Sequence, residues 1–134
     1  MRLFTVDEAN ELLPELKRDL HRLQTMLDQC EEQAMELQRR KNTLASYSAG
    51  EEGMDPFFEV EGRLDFMRME VQMLAGNFER KGVLLKMVQP GLIDFPAVVD
   101  GEEALICWQE GEERASHYHG WHDGFQGRKP LPGD

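Results

Sequence analysis

Between Ala9 and Leu44, apolar side chains return at steps of three and four: Ala9, Leu13, Leu16, Leu20, Leu23, Leu27, Cys30, Ala34, Leu37 and Leu44, with Lys41 interrupting. Only an α-helix gathers positions of that spacing onto one face. A seam held for this many heptads also requires a second surface to cover it. Thr5 and Glu8 are spaced as a capping box, which starts the helix. The expected helix runs from Val6 to about Ala45, roughly 60 Å at 1.5 Å per residue. Pro14 lies inside the pattern. It removes a donor and crowds the carbonyl of Asn10, so the expectation is a kink there, or a short first helix that ends there.

The partner follows in sequence. Ser46 to Met54 reads as a helix-to-helix loop. Asp55-Pro56 then supplies an N-cap and a proline at the first helical position. Phe57, Val60, Leu64, Met67, Val71, Leu74 and Phe78 form a second seam, and Gly82 stops it after Arg80 and Lys81. Phe66, Met69 and Met73 fall on the side opposite that seam. A helix apolar on two opposite faces must be covered twice, here by the first helix and then by either the strand half or another subunit.

Beyond Gly82 the pattern changes to short apolar runs between turn residues. Val83 to Val88, Leu92 to Phe95, Ala97 to Val99, Ala104 to Trp108 and Arg114 to His119 read as strands. Pro96 demotes the Leu92–Phe95 run to an edge or a bulge. Asp100-Gly101 is a hairpin turn, and Glu110-Gly111 a second turn. The fold class is α+β: a long antiparallel, coiled-coil-like helical hairpin packed with a small antiparallel β-meander. One domain covers residues 1–134, with the hairpin in 1–81, the meander and C-terminal loop in 82–129, and a disordered tail in 130–134.

The chain has 134 residues and a net charge of −11. That charge argues against nucleic acid or an anionic membrane as partner. No apolar run reaches the roughly 18 to 20 residues of a membrane span, and Met1 to Glu8 has no signal-peptide apolar region. Cys30 and Cys107 are the only cysteines, and both sit in apolar patterns. They read as reduced, buried thiols of a cytoplasmic protein.

Three histidines crowd one stretch: His117, His119 and His122, with Asp123 adjacent. Alternation puts His117 and His119 on one face of a strand, about 7 Å apart. Imidazoles with a carboxylate suit a divalent transition metal such as zinc. Asp94, a carboxylate inside an apolar run, is the candidate remote ligand; its alternative is a turn bond before Pro96. Gly124, Gly127 and Arg128 form a second constellation. It offers either a weak anion-binding loop or simple turns, with Arg128 paired to an acid. Trp108, Tyr118, Trp121 and Phe125 are spaced either as core or as the lining of a shallow pocket near the histidines. No Ser-His-Asp or Cys-His spacing, Walker loop or dinucleotide fingerprint is present.

Several stretches together resemble an uncharacterised prokaryotic family, domain of unknown function 2203. They are Phe4 to Asn10 with Leu12-Leu13-Pro14, Gly91 to Pro96, Leu105 to Trp108, and Tyr118-His119 followed by Gly124 to Arg128. The resemblance implies weight on His119, Asp94 and Arg128. His117 and His122 lie outside its pattern, and it implies no activity. Two functional expectations stand. One is a structural or interaction module that self-associates as a homodimer through its helical hairpin, with Phe66, Met69 and Met73 at the interface. The other is a metal-binding protein or metal-dependent enzyme built on the C-terminal histidines.

Overall fold

The computed structural model describes residues 1–45 and 55–132; the Ser46–Met54 loop and residues 133–134 of the expected tail lie outside the described residues. Helix α1 spans Val6–Ala45 and α2 spans Phe58–Arg80. Strands β1 (Leu84–Met87), β2 (Leu92–Val99), β3 (Glu102–Gln109), β4 (His117–His119) and β5 (Lys129–Pro130) follow. They pair consecutively and antiparallel, in the order β1-β2-β3-β4-β5. The class is α+β, as the two periodicities predict.

The capping box forms as drawn. The Thr5 amide donates to Glu8 Oε1 at 2.9 Å, and the Glu8 amide donates to Thr5 Oγ1 at 3.1 Å. Helix α1 does not end at Pro14 but runs on for 40 residues. An interior proline costs about 3 kcal/mol. Leu13 and Leu16, fully buried on either side of exposed Pro14, offset that at roughly 1.5–3 kcal/mol each.

Helix α2 starts later than its expected cap. Asp55 accepts the Phe57 amide at 2.9 Å, and its carbonyl accepts the Phe58 amide. Asp55-Pro56 is thus a turn leading into the helix, and the residue at the N-cap, Phe57, has no side-chain cap. The C-terminus is as expected. Gly82 adopts φ +84°, its amide donates to the Glu79 carbonyl, and the Val83 amide donates to that of Phe78. This paired closure needs a left-handed residue at Gly82.

Strand β2 corrects the reading of Pro96. It is a continuous strand through the proline, paired with β3 along its whole length. Strand β1 begins opposite Asp94 and pairs with no residue of β2 beyond it, and the Pro96 carbonyl accepts the Phe4 amide at 2.7 Å. An amide at 96 would point the same way as that carbonyl, away from β3, so the proline breaks no ladder bond. The β2–β3 turn is the predicted two-residue hairpin, with Asp100 at φ +53° and Gly101 at φ +81°. The last predicted strand shortens to β4, and residues 112–116 run irregularly. The start of the expected tail is ordered. Lys129 and Pro130 pair with β4, Leu131 is buried, and its amide donates to the Ser116 carbonyl at 2.9 Å.

One large core joins the first half of α1, the end of α2 and one face of the sheet: Leu13, Leu16, Leu20 and Leu23 against Phe78, Ile93, Phe95, Ile106 and Trp108. A smaller cluster, Cys30, Leu37 and Leu64, lies further up the hairpin.

Candidate functional site

Residues alternate across a strand, so the sheet has two faces. Ile93, Phe95, Ala97, Ala104, Ile106 and Trp108 face the helices and belong to the large core. Asp94, Cys107, His117 and His119 occupy the other set of positions. The register places Asp94 opposite Cys107, Cys107 opposite His117, and Leu105 opposite His119. Three of these side chains are buried: Cys107 at 1%, Asp94 at 3% and His119 at 4% exposure.

Their ligand atoms converge. One atom from each of Asp94, Cys107 and His119 lies within 4.8 Å of the others. His119 Nε2 is 3.3 Å from Asp94 Oδ2. His119 Nδ1 is 2.8 Å from the Gly120 carbonyl oxygen. That carbonyl can only accept, so Nδ1 carries a hydrogen and Nε2 is the ring nitrogen that faces Asp94.

Burial raises the Asp94 pKa above the usual carboxylate value, and the facing His119 and the Cys107 thiol pull it down only in part. Burial, then the charge of Asp94, pushes the Cys107 thiol up to about 12, while Arg128 acts in the opposite sense. A thiol in that state is a poor free nucleophile at neutral pH. The imidazole also spends Nδ1 on a backbone carbonyl, where a catalytic triad would place its carboxylate.

The other predicted metal ligands have no ligand atom within reach of this cluster. His117 turns Nδ1 to the Ser116 hydroxyl at 3.1 Å, with Glu112 Oε2 at 3.9 Å. His122 and Asp123 are exposed in the following turn, and Asp123 accepts the Gly120 amide at 3.2 Å. Among the described residues, Asp94, Cys107 and His119 are the group with ligand atoms in mutual reach, and His117, His122 and Asp123 are not part of it. Cys107 is the member the sequence reading passed over.

Arg128 is engaged within the chain. It donates to Glu112 Oε2 at 2.6 Å and lies 4.8 Å from the Phe125 ring centre. Its Nε is buried with no hydrogen-bond partner among the described residues. Gly124, at φ +69°, opens the short 3-10 turn Phe125–Gly127 that carries Arg128 into place. Trp108 is core and donates from its indole to the Glu112 carbonyl at 2.9 Å. Tyr118 packs against the large core and Trp121 is exposed.

Phe66, Met69 and Met73 stand on the outer side of α2 at 61%, 60% and 66% exposure. The opposite side of α2 packs on α1 and the base of the sheet. None of the described helices is long and apolar enough to cross a membrane.

A model of a family described as "Uncharacterized conserved protein (DUF2203)" matches residues 2–131. No curated protein and no solved structure matches the chain.

Proposed function

The chain belongs to the DUF2203 family, and on that premise we propose that it is a self-associating interaction module, two copies meeting along the outer face of α2. The observation that carries this is the row Phe66, Met69 and Met73, each more than half exposed on a helix already covered on its other side. Exposed apolar side chains gathered along one helix face are the kind of surface that interaction sites use. Methionine suits such a surface because its flexible thioether adapts to the facing shape.

The row is also self-complementary. A two-fold contact requires each residue to meet its mirror position. With the axis at Met69, antiparallel copies of α2 bring Phe66 within one position of Met73. Gly62 and Gly76 each lie seven residues from Met69. A Cβ at Gly62 would meet nothing within 4 Å, so a partner backbone has room to approach there. The free thiols Cys30 and Cys107 fit a reducing cytoplasmic setting.

Sedimentation equilibrium of the full chain tests the proposal. The expected result is a dimer that Met69→Glu converts to a monomer with an unchanged circular dichroism spectrum. A wild-type monomer at every concentration studied, or a dimer indifferent to both Met69→Glu and Phe66→Glu, overturns it.

A further inference from the structure

We propose that Asp94, Cys107 and His119 bind one divalent transition-metal ion of the zinc class on the face of the sheet turned away from the helices. The argument begins with lone pairs. Nδ1 of His119 donates to the Gly120 carbonyl, so in the neutral ring Nε2 is the nitrogen that carries the lone pair. It faces a carboxylate oxygen of Asp94 at 3.3 Å. Two acceptors at that separation repel unless something positive lies between them, either a proton or a metal ion. Cys107 completes the set within 4.8 Å.

Charge then selects the ion. With Asp94 ionised, Cys107 as thiolate and His119 neutral, the buried group carries two negative charges. A divalent cation neutralises them, as burial at this depth requires. The donors are one oxygen, one sulfur and one nitrogen, the mixture that zinc and its borderline neighbours accept and that calcium and magnesium do not. The Gly120 carbonyl fixes the ring of His119 as outer-shell partners of metal-bound imidazoles do. Glu112 holds Arg128, the guanidinium that acts on Cys107, and so offsets its charge. Three protein ligands leave the fourth position of a tetrahedral ion for water or another small donor.

Binding is an exchange that balances. The ion enters, the Cys107 thiol gives up its proton, and the proton held between Asp94 and His119 leaves with it. Sulfur, nitrogen and oxygen each supply an electron pair to the metal, and nothing is oxidised or reduced.

The experiment titrates Co²⁺ into untagged, metal-free full-length protein, follows the sulfur-to-cobalt charge-transfer band, and then competes with Zn²⁺. One ion per chain is expected, with the band present, proton release to the buffer, and displacement by Zn²⁺. Cys107→Ser should abolish the band, and His119→Gln should weaken binding at least tenfold, in the range of lost metal-site contacts. Cys30→Ser and the double variant His117→Ala/His122→Ala should bind as wild type. Absence of the band in the wild-type protein overturns the proposal. So does its loss in Cys30→Ser, or its survival in folded Cys107→Ser. If Cys107→Ser fails to fold, a band retained in Cys30→Ser still assigns the thiolate to Cys107, because the chain has no third cysteine.

Discussion

The base and the tip of the helical hairpin are built from the same two heptad seams, yet they are packed differently. At the base, Ala9, Leu13, Leu16, Leu20 and Leu23 of α1 are all buried to 2% exposure or less. They meet α2 and the sheet together in one large core. Toward the tip, the same seam continues as Cys30 and Leu37, which share a small cluster with Leu64. Met35 and Leu44 remain exposed there. Two helices cover each other only along a stripe, and a third layer turns that stripe into a closed interior. The seam commits the chain to a hairpin, but the sheet decides which half of it becomes a core.

The sharpest way to break this contrast is a cavity at the base. Phe95 is fully buried and meets Phe4 edge-on at a centroid distance of 5.3 Å. Phe95→Ala should cost about 3–5 kcal/mol, read as a fall in the urea midpoint. At the tip, Leu64 is nearly as buried, but its neighbours Val60 and Met67 are only half-buried and can close around the space. Leu64→Ala should therefore cost about 2 kcal/mol, the low end for a truncated leucine. A Leu64 loss equal to that of Phe95 would mean that the tip is as tightly packed as the base.

Ion pairs extend the comparison. At the base, Lys81 binds Asp19 and, at 3.2 Å, Glu15, with the Asp19 side chain 10% exposed. At the tip, Lys41, the residue that interrupts the seam, meets Glu61 at 2.5 Å with both side chains well exposed. Lys81→Met leaves Asp19 buried without its cation and should cost about 1–2 kcal/mol. Lys41→Met should change stability by about 0.5 kcal/mol or less. Burial lowers the Lys81 pKa, but Asp19 and Glu15 outweigh it and leave the value raised above 10.5. The contribution of Lys81 is therefore complete below pH 10.5 and is lost as pH rises through the folded value. The Lys81→Met deficit should shrink over that alkaline range in denaturant melts.

How much of this was legible follows from what each residue reveals by itself. The helices were legible because their spacing is the fold's own period, and the β2–β3 turn because Asp100-Gly101 admits the left-handed backbone it needs. Pro96 misled because a sequence shows a missing donor but not the side to which that donor would point. Leu131 misled because terminal position counts for less than an apolar side chain with a core to enter. Asp94 and His119 were named, while Cys107 passed as core. Yet the two-residue turn fixes the β2–β3 register, and that register sets Asp94 opposite Cys107. His119 could not be added by the same arithmetic, because the irregular run through residues 112–116 hides its register.

The last effect belongs to the capping box that starts α1 at the base. Thr5→Ala removes the acceptor of the Glu8 amide and should cost about 1 kcal/mol. Glu8→Gln is the finer probe, since it keeps an acceptor for the Thr5 amide and removes only the charge. The Thr5 amide, and then the Thr5 hydroxyl, hold the Glu8 carboxyl below its usual value of 4.5. A depressed carboxylate stabilises the fold above its unfolded pKa and loses that contribution as pH falls through the folded value. Glu8→Gln should therefore lie below wild type in thermal melts at pH 7 and converge with it on acidification below pH 4.5. If the gap is unchanged down to pH 2, the charge of Glu8 contributes nothing and the box acts through its hydrogen bonds alone. The start of α1 would then be fastened by neutral contacts, as the core beside it is.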